Sequence, residues 1–393
     1  MKYLVLGLLL PLVYGCGATE HTPGAGLANA GSGSAAGADT GGAGGTAGTT
    51  MNTGGGDTLV TPVVQPCDNL GASGAWEQIG PPVTRESGKL SMSSAVDPNN
   101  FGTVYVGVGQ AGFWKSTNCG ADWTHIDTGK NAAAIDSGNQ WQVLVDPVNS
   151  DVYTISGYGG DGIYRSSDGG VNFDDITPKG DGIPTFVQSF AMDPNNHKHL
   201  VVGFHDKCTG AYAPMCNAYS TDGGANWNFV VGPTSGWGEG AGMMALGDDK
   251  WLYGAPFDGL YYTGNSGASW EKVVDYPGCF YGLVQASGKY YLGCLGNAGI
   301  QQSTDGHTWT KLATAPQAST VVQAGNSLYS SFQNDDTGQP IWTASLDAPD
   351  AWTQVKTPTL SQGASPNNMS YDSKHHIMYL PAWSAGLWRV VLP

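Results

Sequence analysis

Three carboxylates in this chain have neighbours suited to chemistry on a sugar. Asp161 and Asp258 each precede a Gly-apolar-aromatic segment, so they occupy equivalent places in two copies of a repeated unit. Glu239 lies two residues after Trp237, and a tryptophan beside a carboxylate can hold and polarise a sugar ring. Two carboxylates that face each other across a cleft act as acid and base in glycoside cleavage. The pattern predicts Asp161, Asp258 and Glu239 as candidate catalytic residues; for the aspartates the alternative is turn capping, and for Trp237 it is packing.

A second group of residues has the aromatic or hydrogen-bonding character of a ligand site. His205 opens the longest predicted loop, which contains Cys208 and Cys216 and could form a wall of the site or be a tolerated insertion. The other histidines fall in strands, turns or repeat motifs, and no Cys-x-x-Cys pair occurs, so we expect no metal and no cofactor. The predicted substrate-binding residues are Arg85, Tyr158, His205, Trp237, Tyr281 and Trp383.

A repeated motif determines the elements that must position these residues. Its pattern is Ser-x-Asp-x-Gly-x-x-aromatic, and the carboxylate can accept bonds from nearby backbone N–H groups while glycine takes a positive φ. The copies recur at intervals of 40 to 54 residues, the length of a propeller blade. They span 116–123, 166–173, 220–227, 263–270, 303–309 and 345–352, and the motif aspartates are Asp168, Asp222, Asp305 and Asp347.

The motif resembles the Asp-box, or BNR repeat, of sialidases, sortilin-type receptors and the xyloglucanases of glycoside hydrolase family 74. Seven units can be counted, with first strands near Leu90, Trp141, Phe186, Gly242, Tyr281, Thr320 and Met369. The last unit stops at a third strand, 386–393, whereas Trp76–Ile79 reads as a fourth strand without a blade before it. We therefore predict an all-β, seven-bladed β-propeller whose ring is closed by strand 76–79.

The predicted topology separates two ends of the propeller. The motif turns and the turns after the first strands lie at one end, which we call the motif rim. The loops that join blades, and those between second and third strands, lie at the other, which we call the loop face. Related propellers carry their ligand sites there, and loops on a rigid scaffold commonly carry function. Besides the candidates above, this face includes Asp127, Lys130, Asp136 and Tyr276.

Known activities of the family do not transfer directly. A sialidase needs three arginines for its substrate carboxylate, but of Arg85, Arg165 and Arg389 the last two fall at a framework position of the repeat. Family-74 xyloglucanases use two tandem propellers, and their early catalytic aspartate aligns with the segment 108–112, which has no carboxylate. Photosystem assembly factors with related repeats have a basic patch, which this arginine-poor chain cannot form.

Charge and cysteine content indicate an extracellular protein. The net charge of −16, with 16 basic residues, excludes nucleic acid and anionic lipid as natural partners. Besides Cys16 there are six cysteines, an even number that indicates disulfides. Cys208 with Cys216 would brace one loop, Cys279 and Cys294 flank a predicted hairpin with its turn at Ser287-Gly288, and Cys67 with Cys119 remains.

The N-terminus predicts export. Residues 1–15 have the pattern of a signal peptide, and Val13-Tyr14-Gly15-Cys16 resembles a bacterial lipobox with Cys16 as the lipidated residue. Tyr14 departs from the usual pattern, so ordinary cleavage and secretion is the alternative. Residues 16–66, rich in Gly, Ala, Ser and Thr, are predicted as a flexible tether, and 67–393 as the propeller. The expected location is the outer membrane or cell surface, or the medium.

Two classes of function remain from the sequence. One is recognition, with or without cleavage, of an extracellular polysaccharide by a glycoside hydrolase or polysaccharide lyase. The other is a non-catalytic propeller for protein–protein interaction or assembly at the outer membrane. Tyr and Trp residues on the loop face favour a glycan, and we expect a monomer.

Overall fold

The computed structural model describes most of the chain from residue 61 onward. The described ranges are 61–83, 91–233, 242–247, 249–255, 257–276, 278–279, 281–295, 298–318, 320–331, 340–357, 369–382 and 385–393. These residues form seven antiparallel four-stranded sheets, and in each sheet successive strands lie side by side. The predicted seven-bladed β-propeller is confirmed.

The first three blades follow the repeat. Blade 1 consists of Ser91–Val96, Val104–Val108, Phe113–Ser116 and Thr124–His125. Blade 2 consists of Asn139–Val145, Val152–Gly157, Gly162–Ser166 and Asp174–Asp175. Blade 3 consists of Val187–Asp193, Asn196–Phe204, Cys216–Ser220 and Asn228–Val231.

The next three blades repeat this pattern. Blade 4 consists of Gly242–Gly247, Lys250–Ala255, Gly259–Thr263 and Glu271–Val274. Blade 5 consists of Tyr281–Ala286, Lys289–Gly293, Ile300–Ser303 and Thr310–Lys311. Blade 6 consists of Thr320–Ala324, Ser327–Ser331, Ile341–Ser345 and Thr353–Val355.

Blade 7 joins the two ends of the chain. Its strands are Ser370–Asp372, Ile377–Ala382 and Gly386–Val391, and the fourth is Trp76–Ile79 from the N-terminal side. Trp76 pairs with Val390 and Ile79 with Leu387 in an antiparallel register. The predicted closure is therefore confirmed, and Trp76–Ile79 covers the edge of the strand Gly386–Val391.

Burial shows which strands of a blade lie near the central axis of the propeller and which lie outside. The first strand of blade 1 is buried along its whole length, whereas the fourth strands of blades 2 and 5 are exposed. First strands of neighbouring blades pack against one another, so they surround the central axis and the fourth strands form the outside. The apolar core lies between blades, as in the cluster shared by blades 2 and 3.

Three features complete the fold. Val63–Val64 pairs in parallel with Asn100–Phe101, so ordered pairing includes residues before the predicted domain boundary at residue 67. Helical segments among the described residues include Ala132–Ser137 and the 3₁₀ turn Gly210–Tyr212, and no described helix has the length and apolar character needed to cross a bilayer.

The disulfides Cys67–Cys119, Cys208–Cys216 and Cys279–Cys294 form as predicted. The last pair brackets the hairpin of blade 5, whose turn residues Ser287 and Gly288 both have positive φ.

Candidate binding site on the loop face

The side chains of the repeated motif are used to build its turns. In blade 2 the Gly170 N–H donates to Ser166 Oγ at 2.9 Å, and the Asn172 N–H donates to Asp168 Oδ1 at 2.9 Å. These bonds favour the ionised carboxylate, so the pKa of Asp168 falls to about 2, with the Asn172 N–H as the main cause.

The other motif copies vary in how closely they follow blade 2. Asp222 and Asp305 are bonded in the same way, whereas Asp347 instead accepts a bond from Asn326 Nδ2.

Two arginines are framework residues, as predicted. Arg165 lies against Asp151 with Nε to Oδ2 at 2.7 Å. Arg389 is buried and donates to Glu77 Oε2, to the Cys119 carbonyl and to the Asn69 carbonyl. Neither guanidinium is directed to a ligand on the loop face.

Four aromatic rings from two blades meet on the loop face, and we call them the aromatic platform: Trp141, Tyr158, Phe186 and His205. Tyr158 lies edge-on to Phe186, with ring centroids 5.0 Å apart, and to Trp141 at 5.7 Å. The His205 ring stacks on Phe186 at 4.2 Å with only 7° between the planes. Two predicted substrate-binding residues, Tyr158 and His205, thus come together, with ring centroids 6.0 Å apart.

The ring of Tyr158 is half exposed, although it packs against buried aromatic rings. Its side chain is 49% exposed although Phe186 and Trp141 are buried beneath and beside it. Its φ of 56° is unusual for a residue with a bulky side chain. Such strained backbone is found at functional sites more often than elsewhere. The platform therefore presents one half-exposed ring on a fixed aromatic support.

Exposed Phe, Tyr and Trp side chains are confined to the loop face in the part of the chain that the structure describes. They are Tyr158 between second and third strands of blade 2, Phe257 in the same place in blade 4, and Tyr276 between blades 4 and 5. No described Phe, Tyr or Trp of the motif rim is exposed to a comparable degree. Sequence reasoning named Tyr158 as a site residue but not Phe257 or Tyr276, although all three could have been found from the loop assignment.

The two predicted catalytic aspartates are bonded within their own blades. Asp161 Oδ1 accepts the Gly159 N–H at 3.1 Å, which caps the loop that holds Tyr158. Asp258 accepts from Tyr261 Oη and from the ammonium group of Lys272 on the outer strand of blade 4. Asp258 is therefore held toward the outside of its blade, and an acid–base role across the funnel for Asp161 and Asp258 stays a prediction.

Several predicted site residues lie outside the described residues. These are Arg85, Trp237, Glu239 and Trp383, together with Cys16 at the N-terminus. Tyr281 begins the first strand of blade 5, but its side chain is outside the description as well.

Sequence reasoning missed a cluster of three polar residues on the loop face beside blade 1: His125, Asp127 and Asp136, which we call the blade 1 cluster. His125 Nε2 lies 3.0 Å from Asp127 Oδ1 and 3.2 Å from Asp136 Oδ1. His125 ends the fourth strand, Asp127 follows it, and Asp136 lies in the short helix that leads to blade 2. The sequence placed both aspartates on this face, but it gave no sign that the helix would bring Asp136 to His125.

Asp127 is an unusual carboxyl group. Its side chain is 0% exposed, and burial raises its pKa to about 7, while the Phe113 N–H and His125 oppose the shift. A side chain with no exposed surface cannot contact a polysaccharide directly. Asp127 can therefore act only on groups inside the blade 1 cluster.

Comparisons with known proteins find a distant similarity in sequence to a xyloglucanase and a shared fold with several propellers. No protein-family model matches it. A xyloglucanase of Hypocrea jecorina (strain QM6a) is 24% identical over 285 residues, which cover 67% of this chain and 30% of that enzyme. The chain thus spans less than a third of the length of that relative.

Solved structures with the same fold have different functions. A streptogramin B lyase matches with a TM-score of 0.58 at 12% identity over 80% of this chain and 96% of its own. YCF48 bound to D1 peptide matches with a TM-score of 0.57 at 12% identity, over 84% and 100% of the two chains. A GH74 xyloglucanase from Xanthomonas campestris matches with a TM-score of 0.54 at 16% identity, over 80% and 53%. These likenesses show the fold alone.

Proposed function

We propose that this chain binds an extracellular polysaccharide on the loop face of a glycoside hydrolase-like propeller. The observation that carries the proposal is the half-exposed ring of Tyr158, held by the other rings of the aromatic platform. A tyrosine ring offers a flat apolar surface with a polar tip, which suits the C–H face and hydroxyl rim of a sugar. The similarity to a xyloglucanase supports a polysaccharide as the ligand class.

Polar groups beside the platform suit the hydroxyl groups of a sugar. Asp161 is exposed in the loop of Tyr158, and Asp206 is more than half exposed next to His205, whose Nδ1 lies 2.9 Å from Asp206 Oδ1. Binding sites for small polar ligands combine such an aromatic surface with a few placed hydrogen-bonding groups. The disulfide Cys208–Cys216 braces the loop that follows His205, so the wall of the site is preorganised.

The test is binding of the full chain to a panel of soluble polysaccharides that includes xyloglucan. We expect Tyr158→Ala to weaken binding at least about tenfold, equivalent to about 1.4 kcal/mol, and Tyr158→Phe to retain most of it because the ring remains. Tyr276→Ala is the matched control, since Tyr276 is equally exposed on the same face but lies between blades 4 and 5. Equal losses in Tyr158→Ala and Tyr276→Ala would contradict a site at the platform. Absence of binding to every glycan would favour a protein partner.

Cleavage is the second candidate, favoured by the similarity to the xyloglucanase. Release of new reducing ends from a bound polysaccharide would establish it, and Asp161→Asn with Asp258→Asn would show whether these carboxylates carry it. Stable binding without product would leave a recognition protein.

We further infer that the repeated turns are Asp-boxes and that the chain is displayed outside the cell. The hydrogen bonds of Asp168 and Ser166 support the first inference. The lipobox-like residues before Cys16 and the three disulfides support the second. Metabolic labelling with a palmitate analogue tests lipidation, which Cys16→Ala should abolish; an unlabelled wild type would indicate a secreted protein.

A further inference from the structure

The blade 1 cluster brings three potential metal ligands to one point. The ligand atoms of His125, Asp127 and Asp136 all lie within 4.8 Å of one another. Gly112, between the second and third strands of blade 1, forms the adjoining wall. A Cβ atom placed there would lie 2.3 Å from Asp127 Oδ2 and 2.4 Å from Asp136 Oδ1, so both oxygens face the same small space.

One buried oxygen in this space has no partner. Asp127 Oδ1 accepts the Phe113 N–H at 2.8 Å and lies near His125, but Asp127 Oδ2 is buried and makes no hydrogen bond. Buried polar atoms without a partner are rare, because each costs roughly 1–3 kcal/mol. An unsatisfied oxygen that faces the other two groups indicates that the cluster is built for something that binds between them.

A hydrogen bond from His125 does not account for this arrangement. A single Nε2–H can be shared between Asp127 Oδ1 and Asp136 Oδ1, which still leaves Asp127 Oδ2 unsatisfied. Within the described residues no lysine or arginine forms an ion pair with either aspartate, so a single histidine, His125, faces two carboxyl groups. A cation would satisfy both the free oxygen and the charge.

We propose that His125, Asp127 and Asp136 bind a divalent transition-metal ion of the Zn²⁺ class. The spacing between His125 Nε2 and the carboxylate oxygens, 3.0 and 3.2 Å, is suited to ligands held at about 2.0–2.2 Å from one ion. An imidazole among the ligands favours Zn²⁺ over Ca²⁺ or Mg²⁺, which prefer six or more oxygens. The Trp114 ring, 5.1 Å from the His125 ring, fixes the orientation of the imidazole.

The site would be closed below and open above. Asp127 is fully buried, whereas His125 and Asp136 are 34% and 42% exposed toward the loop face. Three protein ligands leave a coordination position for water or for an oxygen of a ligand. Metal binding at the blade 1 cluster is independent of polysaccharide binding, since the aromatic platform lies between blades 2 and 3.

The test uses the full chain after treatment with EDTA and removal of the chelator. Titration with ZnCl₂ alone, followed by calorimetry, is expected to show one site per chain and a rise in melting temperature. His125→Gln and Asp136→Asn should each weaken the affinity at least about tenfold, since even the loss of an outer ligand contact has that effect. Both side chains are partly exposed, so these variants should fold.

His307→Gln is the matched control. His307 Nε2 lies 3.0 Å from Glu271 Oε2, a histidine–carboxylate pair on the motif side that lacks a second carboxylate. It should leave zinc affinity within about twofold of the wild type. Co²⁺ in place of Zn²⁺ provides a second measurement, because its visible absorption should depend on His125.

Three results would overturn the proposal. They are no stoichiometric binding of Zn²⁺, binding that His125→Gln and Asp136→Asn leave unchanged, and selective binding of Ca²⁺ or Mg²⁺ instead.

Discussion

Asp168 shows how a single residue of the motif stabilises the fold. Its Oδ1 accepts the N–H groups of Val171 and Asn172, and Ser166 Oγ donates to the same oxygen. Two motif copies, 116–123 and 263–270, have Asn in place of the aspartate. They keep the central bond with an amide oxygen, since Asn118 Oδ1 accepts the Asp122 N–H at 2.9 Å and Asn265 Oδ1 accepts the Ser269 N–H at 2.9 Å. The acceptor oxygen, rather than the charge, is therefore what the turn requires.

We predict that Asp168→Ala lowers the free energy of unfolding by about 1–2 kcal/mol, because the backbone N–H groups lose their acceptor. Asp168→Asn should cost less than half as much, since its Oδ1 remains. Denaturant unfolding at pH 7 measures both. Equal losses in the two variants would mean that charge matters more than the acceptor.

The pKa of Asp168 gives a separate prediction for acid. Because its folded pKa, about 2, lies below the usual 3.8, the ionised group stabilises the fold at pH values above 3.8. This contribution is lost as the pH falls from about 4 to 2. The stability difference between the wild type and Asp168→Asn should therefore shrink over that window, as followed by thermal unfolding. A difference that stays constant from pH 6 to pH 2 would contradict the assignment.

At the residue scale, the sequence shows which residues could take part in a site, but it does not show which of them are in contact. Tyr158 and His205 could be chosen because their loops were predictable and both are polar aromatics. The blade 1 cluster could not, because Asp136 reaches His125 only through the short helix Ala132–Ser137, which interrupts an otherwise all-β pattern. The bond between Asp258 and Lys272 could not be predicted either, because the position of Lys272 across the blade depends on strand register.

At the scale of elements, the loop after His205 connects stability to the proposed function. The Cys208–Cys216 disulfide closes it, and the Thr209 N–H donates to the Gly182 carbonyl at 2.9 Å, which ties it to the connection between blades 2 and 3. The loop thus supports His205 and, through Phe186, the ring of Tyr158.

We predict that replacing both Cys208 and Cys216 by serine costs about 2–3 kcal/mol of stability, from the short loop that the disulfide closes. Polysaccharide binding should weaken because the loop becomes less ordered. Calorimetry and binding measurements on one preparation give both quantities. The matched control replaces Cys279 and Cys294 in blade 5, which should affect stability but not binding; loss of binding in that control would argue against a local effect.

The motif aromatics also act between elements. Trp227 Nε1 donates to the Ile176 carbonyl of blade 2 at 2.8 Å, and Trp270 Nε1 donates to the Val231 carbonyl of blade 3 at 3.1 Å. In the sequence these rings are visible only as the aromatic position of each motif copy. The structure adds that Trp227 and Trp270 attach blades 3 and 4 to the preceding blades, which a pattern within one repeat cannot show, whereas Trp309 Nε1 donates to the Gly306 carbonyl of its own motif.

At the scale of the whole molecule, one buried arginine connects blade 7 with blade 1 and with the N-terminal part of the chain. Arg389 in blade 7 joins three parts of the chain, namely Glu77, Asn69 and the carbonyl of Cys119 in blade 1. We predict that Arg389→Met destabilises the protein by about 3–5 kcal/mol, because Glu77 and two carbonyls lose their partner. Arg165→Met, at the equivalent position of blade 2, should cost only about 1 kcal/mol, since that pair is partly exposed. Similar losses of stability in Arg389→Met and Arg165→Met would contradict a particular role of Arg389 in ring closure.

The overall fold could be predicted from the sequence. A period of about 40–50 residues, an unfinished last unit and a surplus N-terminal strand predicted seven blades and their closure. The small pairing of Val63–Val64 with Asn100–Phe101 escaped prediction because two-residue strands carry no periodic pattern.

The most direct test of the loop face as the binding face is hydrogen–deuterium exchange of the full chain with and without the polysaccharide that binds most tightly. We predict slower exchange in residues 157–162 and 205–216, which carry the platform, and no change in the motif turn 166–173. Protection of the motif turns, or bound polysaccharide without protection of the two platform loops, would contradict the account.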